Sequence, residues 1–335
     1  MTGSPPLMIG AGDMAGDDRL LLVVDALADA FRDLRTRQAP FQPRTLLQLG
    51  PSELLVSPAA WEQRGVASVK VTTLAPDNPR RGLPLIHGIV VLTDVDTGQV
   101  MALLDGAELT AVRTGAVAGL ATKLCTPPDA SDLAILGAGT QARALLRAMS
   151  AVRPIRSVRL CSRTATRTEA FADWIRACTH SSVQVAVCDT PRAAIRDAEI
   201  ICTATSTSDQ KPLIDADWVA PGAHLNVIGG THEDAIEVDP QLLKTAFVTV
   251  EQRTAAQEDA GEVRVALADG LIGVQDLHEL GALLTGETTV DGERATLFRS
   301  VGLAIEDTAA AAAIYEATRS LPTHRRTSHG PTTGR

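Results

Sequence analysis

Three cations stand in surroundings that are otherwise mostly apolar or strand-like: Arg44, Lys70 and Arg113. Lys70 lies within Ala67-Ser68-Val69-Lys70-Val71-Thr72-Thr73, where strand alternation sends it to the face of Ser68 and Thr72. A lysine buried on such a face has its pKa lowered by desolvation and becomes a good acid/base group. A pair of arginines suits a carboxylate, because the guanidinium fork matches its two oxygens. Taken singly, each of the three is more readily read as a surface charge. His87, in Leu85-Ile86-His87-Gly88-Ile89, can shuttle a proton near neutral pH, and Gly88 would let a ligand approach. A satisfied core or rim histidine is an equal reading of it.

A second chemistry is written in Gly137-Ala138-Gly139-Thr140-Gln141-Ala142. The first glycine permits a tight turn, the second lets the backbone approach a pyrophosphate, and Ala142 allows close helix–strand packing. The helix that follows offers free N–H groups and a favourable dipole to phosphates. The next strand ends Cys161-Ser162-Arg163-Thr164, about 20 residues on, where NAD enzymes carry an acidic residue for the ribose hydroxyls. No carboxylate stands there. Arg163, with Arg167 one turn later, can face a 2′-phosphate, and Ser162 and Thr164 can donate to it. This favours NADP(H) over NAD(H), with a solvated arginine at a strand end as the alternative. Gly10-Ala11-Gly12-Asp13-Met14-Ala15-Gly16 also fits the glycine pattern. Only Leu7, Met8 and Ile9 precede it, and Asp13 would set a negative charge beside the phosphates, so it reads as an N-terminal loop.

These residues need elements to hold them. Apolar spacing predicts a helix over 20–34, strands at 45–49, 66–73 and 86–94, and a return strand at 99–104 after the Asp96-Thr97-Gly98 turn. This is mixed or antiparallel β structure. From Ala107 the character changes: a helix runs to Leu124, and short apolar strands then alternate with helices. The strands are at 132–136, 157–161, 183–188, 200–203, 223–227 and lastly 247–250. Such alternation indicates a parallel sheet covered on both faces. An Ala-rich helix over 300–319 can pack back on the first unit, and the polar tail from Pro322 reads as disordered.

Composition bounds the rest. The chain has 335 residues, a formal net charge of −9 and 3% aromatic residues, so the core must be aliphatic. The acidic balance and the scarcity of stacking rings argue against nucleic acid. No apolar run reaches the ~18 residues of a membrane span, and no signal-peptide layout opens the chain. Five cysteines without a CxxC pair read as buried free thiols in a reducing compartment, which points to the cytoplasm.

Several motifs in order resemble the ornithine cyclodeaminase/mu-crystallin family. They are Val69 to Pro79 with Arg81-Gly82-Leu83-Pro84, Ala102 to Gly106, Leu109 to Ala116, the glycine turn, and Leu297 to Asp307. The resemblance covers about residues 20–320. It implies a Rossmann-type doubly wound parallel sheet (126–304) plus a mixed α+β substrate and dimerisation domain (1–125), the latter completed by the helix at 305–320, with 321–335 as tail. It also implies that Arg44 and Arg113 hold a substrate carboxylate and that Lys70 is the acid/base. Thr114, Gly137, Gly139, Thr140, Gln141, the stretch Thr203-Ala204-Thr205, Val227, Gly229 and Ser300 would line the cofactor, and two chains would join sheets in a homodimer. In cyclodeaminases an aspartate follows two small residues after the fifth strand. Here Gly229-Gly230 is followed by Thr231, then His232, Glu233 and Asp234. Thr231 can hydrogen-bond but is neither base nor anion. The expectation is therefore NAD(P)H-dependent reduction of a small imino acid, with cyclodeamination, keto-acid amination and crystallin-like ligand binding as alternatives.

Overall fold

The computed structural model describes residues 5–37, 44–178, 183–206, 211–230 and 235–320. Thr231 to Asp234 and the tail lie outside the described residues. Strands β1 (Leu7–Ile9), β2 (Thr45–Leu49), β3 (Ser52–Trp61), β4 (Val66–Leu74), β5 (Ile86–Asp94) and β6 (Val100–Asp105) form one sheet, ordered β1-β6-β5-β4-β3-β2. Its pairs are antiparallel except β1 with β6. Helices α1 (Ala11–Met14), α2 (Asp17–Arg37) and α3 (Gly106–Cys125) belong to the same half of the chain.

The second sheet is wholly parallel. It contains β7 (Asp132–Leu136), β8 (Ser157–Cys161), β9 (Gln184–Val187), β10 (Ile200–Thr203), β11 (His224–Val227), β12 (Phe247–Val250), β13 (Leu277–Glu279) and β14 (Thr296–Arg299). The spatial order is β13-β12-β14-β11-β10-β7-β8-β9. Around it run α4 (Thr140–Val152), α5 (Ala165–Cys178), α6 (Pro191–Ile195), α7 (Pro240–Thr245), α8 (Arg253–Asp259), α9 (Gly261–Ala268) and α10 (Leu280–Leu284). The last helix, α11 (Ala304–Arg319), leaves this sheet and packs on β3 and β4 of the first.

Two close approaches, the first of which joins the halves, depend on missing side chains. A Cβ on Gly115 of α3 would lie 2.8 Å from the Ala144 carbonyl oxygen of α4, so the two helices meet backbone to backbone. A Cβ on Gly106 would lie 2.7 Å from the Gly88 backbone, which lets the start of α3 descend onto β5.

Three expectations need correction. β3 escapes a reading by strand propensity because it contains Pro58. β2 pairs only with residues 52–56, so Pro58 sits where β3 is locally an edge and its missing N–H costs no ladder bond. Strand β12 is not the last, since β14 inserts between β11 and β12; this four-residue strand is buried on both faces and shows no alternation. The glycine copy near the N-terminus is not a loop but a short strand and one helical turn. The Asp13 carboxylate accepts the Gly10 N–H at 2.9 Å, the donor a phosphate would need, and β1 belongs to the mixed sheet.

Candidate active site

Lys70 and the two arginines converge, and what gathers them is a row of acids. Lys70 is 7% exposed, and its Nζ lies 2.6 Å from Asp307 Oδ2 at the start of α11. Thr110 Oγ1 on α3 is 3.5 Å away. Arg113, also on α3, donates from Nε to Asp307 at 3.2 Å and from Nη1 to Glu306 at 3.0 Å. Asp307 thus bridges lysine and arginine. Arg44, half-exposed just before β2, donates to the carbonyls of Val301 and Gly302, the latter at 2.7 Å, and lies 4.0 Å from Asp259. Among the described residues, Arg113 Nη2 has no acceptor.

Burial sets the electrostatics. It pushes the Lys70 ammonium below the ordinary lysine value, and Asp307 opposes only part of that shift. Burial also works against the Arg113 charge, but Asp307 and Glu306 outweigh it and hold the arginine above its usual value. Burial raises the Glu306 carboxyl to about 7 against the pull of Arg113. A charged cluster removed from water persists because each member has a partner.

The carboxyl ends of the parallel strands face the same region, as in open α/β sheets that bind ligands at a switch of strand order. Gly137 follows β7 with φ +125°, and a Cβ there would lie 2.4 Å from the Ala204 carbonyl oxygen. Gly139 caps α4, and a Cβ on it would meet nothing within 4 Å, leaving open space above the helix N-terminus. The first turn of α4 (Thr140, Gln141) carries no acid, and Gln141 Oε1 is buried without a partner. Ala142 is fully buried. These features fit a dinucleotide pyrophosphate. Ser162 is half-buried, bonded to Thr168 Oγ1 at 2.6 Å, while Arg163, Thr164 and Arg167 are exposed at the end of β8 and the start of α5.

Other expected cofactor contacts are placed differently. Thr203 and Val227 are buried, and the hydroxyls of Thr203 and Thr205 both donate to Glu237, which also accepts the Thr205 N–H at 3.2 Å. A Cβ on Gly229 would collide with that same carboxylate. Ser300 donates its hydroxyl hydrogen to Glu251 at 2.6 Å. Thr114 is buried on α3, and Ala204 and Thr205 are half-buried at the crevice. His87 is not brought to the cluster: it pairs with Thr73, one register step out of phase with Lys70, and is exposed on the opposite face. Of the thiols, Cys125, Cys161 and Cys202 are buried, whereas Cys178 is exposed and Cys188 half-buried; all five are free.

The sequence reading missed Glu237, Glu251 and Glu262, and gave Glu306 and Asp307 no role although they close a family motif. Glu262 Oε1 lies 2.8 Å from Arg299 Nε, both fully buried beneath the crevice. A buried carboxylate reads as surface until its partners are known to be nearby, and here each set of partners comes from a distant part of the chain. Two surface hollows of about 220 Å³ each, one beside Trp61 and one beside Trp174, lie away from Lys70.

The family model for ornithine cyclodeaminase/mu-crystallin proteins matches residues 6–321. The chain belongs to this family. A Bacillus cereus Delta(1)-pyrroline-2-carboxylate reductase is 36% identical over 266 residues, covering 78% of this chain and 80% of the relative. The structure of the Thermococcus litoralis Delta(1)-pyrroline-2-carboxylate reductase, in complex with NADH and L-proline, superposes with TM-score 0.85 at 27% identity, covering 93% and 97% of the two chains. An archaeal alanine dehydrogenase dimer with bound NAD gives TM-score 0.83 at 28% identity, covering 95% and 98%.

Proposed function

We propose that this protein reduces a small cyclic imino acid, of the pyrroline-2-carboxylate or piperideine-2-carboxylate type, to the L-amino acid with NAD(P)H. The observation that carries the reading is the buried Lys70–Asp307–Arg113 cluster at the mouth of the dinucleotide crevice. Arg113 and Arg44 hold the substrate carboxylate through guanidinium donors not committed to Glu306, Asp307 or the loop carbonyls. That anchoring fixes the ring and turns the imine nitrogen toward Lys70. Lys70 gives its proton to that nitrogen, and Asp307, 2.6 Å away, stabilises the charged lysine beforehand and orients it. The bound nicotinamide supplies hydride to the imine carbon. Gly137–Gln141 would hold its pyrophosphate, and Thr114, Ala204, Thr205, Gly229 and Ser300 would surround the remainder.

The likeness to pyrroline-2-carboxylate reductases supports this reading over cyclodeamination, as does the threonine at 231 where cyclodeaminases have an aspartate. Amination of a keto acid is the same chemistry with ammonia, and the likeness to an alanine dehydrogenase keeps it as the second reading. Pure ligand storage would not require a desolvated lysine. Arg163, with no carboxylate beside it at the end of β8, supports NADP(H) as the preferred cofactor. Free thiols support a cytoplasmic site, and no described helix is long and apolar enough to cross a membrane.

The test follows oxidation of NADPH and NADH by absorbance with pyrroline-2-carboxylate, piperideine-2-carboxylate, and pyruvate plus ammonia, while ornithine and lysine are assayed for ammonia release. Faster NADPH consumption with a cyclic imine is the expected result. Ammonia from ornithine without net cofactor change would overturn the reductase assignment.

A further inference from the structure

We infer that Glu251 is a positioning residue for substrate-carboxylate recognition, acting by holding the Ser300–Gly302 loop between the two arginines; this rests on the imino-acid reading above. Glu251 directly follows β12 and is 2% exposed. Its Oε1 accepts the Ser300 hydroxyl at 2.6 Å, the Val301 N–H at 3.1 Å and the Gly302 N–H at 3.1 Å. Oε2 shares the Val301 N–H at 3.1 Å. One side chain therefore takes every hydrogen-bond donor of three consecutive residues, apart from the Ser300 N–H, which β11 takes at Val227.

The opposite side of that loop meets the cations. With their N–H groups turned to Glu251, Val301 and Gly302 offer their carbonyls to Arg44 Nη2. Gly302 has φ +75°, and a Cβ on it would lie 2.7 Å from Arg113 Nη1, so the loop backbone rests against that guanidinium. The next residue, Leu303, caps α11 through its N–H to Glu306 at 2.9 Å. Glu306 and Asp307 then grip Arg113 and Lys70. Arg44 and Arg113 arise from different segments of the first half of the chain and, among the described residues, share no hydrogen-bond partner there. Their shared neighbour is this loop, and the loop's orientation is fixed from the parallel sheet by Glu251.

If Glu251 served only to stabilise the fold, its loss would lower stability and active fraction without singling out the substrate carboxylate. A positioning role makes the loss specific. Glu251→Ala should raise KM for pyrroline-2-carboxylate at least ~10-fold, with kcat within ~3-fold, because the arginines act on binding before the reaction. The inhibition constant of pyrrole-2-carboxylate, a planar mimic, should rise by the same factor. NADPH affinity, read by fluorescence titration, should change much less than KM, because Ser300 alone of the loop residues is placed beside the cofactor. Glu251→Gln keeps an acceptor where Oε1 stands and should restore most of the wild-type KM. In an Arg44→Ala background the Glu251→Ala effect should shrink, since the two act through one contact.

Should Glu251→Ala fail to fold, Glu251→Asp, which withdraws the carboxylate by one methylene, is read in the same way. An unchanged KM, or an equal KM factor with and without Arg44, overturns the inference alone. Wild-type protein that neither reduces a cyclic imine nor binds pyrrole-2-carboxylate overturns the imino-acid reading, and this inference with it.

Discussion

Lys70, Arg113 and Arg44 face Asp307, Glu306 and Glu251, so the cluster is close to charge balance before any substrate arrives. The protonation of Glu306 decides whether an added carboxylate is welcome. Its carboxyl, raised by burial to about 7, holds a proton in the folded protein at pH values where the unfolded chain has released it. The resulting stabilisation is fully present below the ordinary carboxylate value and is lost as pH rises through about 7. Substrate binding is linked to the same proton: KM should rise between pH 6 and 8, by the ~5-fold or more that couplings of about 1–3 kcal/mol produce. Glu306→Gln should flatten that limb in a KM–pH profile, and a limb unchanged in the variant would assign it to another group. At higher pH the rate of reduction should fall as Lys70 loses its proton, below the ordinary lysine value because burial disfavours the charge. Lys70→Ala should abolish turnover while NADPH binding, followed by fluorescence, stays near wild type; full activity in this variant would remove Lys70 from the mechanism.

At the scale of elements, the strand–turn–helix of β7 and α4 offers a contrast between two glycines. Gly137 needs both its positive φ and its missing Cβ, since Ala204 O would be 2.4 Å away. Gly137→Ala should therefore destabilise the protein by about 1–3 kcal/mol, visible in a urea melt, and weaken cofactor binding as well. Gly139 has φ −95° and open space where a side chain would go. Gly139→Ala should fold with wild-type stability yet bind NADPH and NADH more weakly, because the methyl group occupies the approach of the pyrophosphate. Wild-type cofactor affinity in Gly139→Ala would mean the phosphates do not rest on this turn. The motif's spacing already pointed to this contrast. The strand that completes the sheet, β14, was not legible as a strand. Its Arg299 is tolerated in the interior because Glu262 of α9 lies against Nε and the carbonyls of Val227, Gly229, Gly230 and Ser300 take its other donors.

For the molecule as a whole, the helices α3 and α11 cover only one face of the six-stranded sheet, the face of Ser57, Lys70 and Val90. The other face presents Leu47 and Leu54 in one cross-strand row and Val56, Val71 and Ile89 in the next, all half-buried or exposed. An apolar sheet face of this extent is suited to a second copy of the chain, and the archaeal relative with a similar fold is a dimer. We expect a homodimer joined through this face. Leu47 is 55% exposed in a single chain, so Leu47→Asp should cost the protomer little while charging the interface. Light scattering should then report monomers where the wild type gives dimers; a monomeric wild type would refute the assembly outright.

The sequence alone determined the local items: the glycine turn, the alternation that buries Lys70, the cationic end of β8, and the succession of strands and helices that makes a parallel sheet. Each follows from spacing within a few residues, where geometry is fixed by the backbone. Tertiary structure decided which charges meet. Asp307 lies far along the chain from Lys70, Glu251 reaches Arg44 only through a loop, and His87 fell on the wrong face by one step of register. The partner of a buried charge is set by how elements pack, and no periodicity in the chain records that packing.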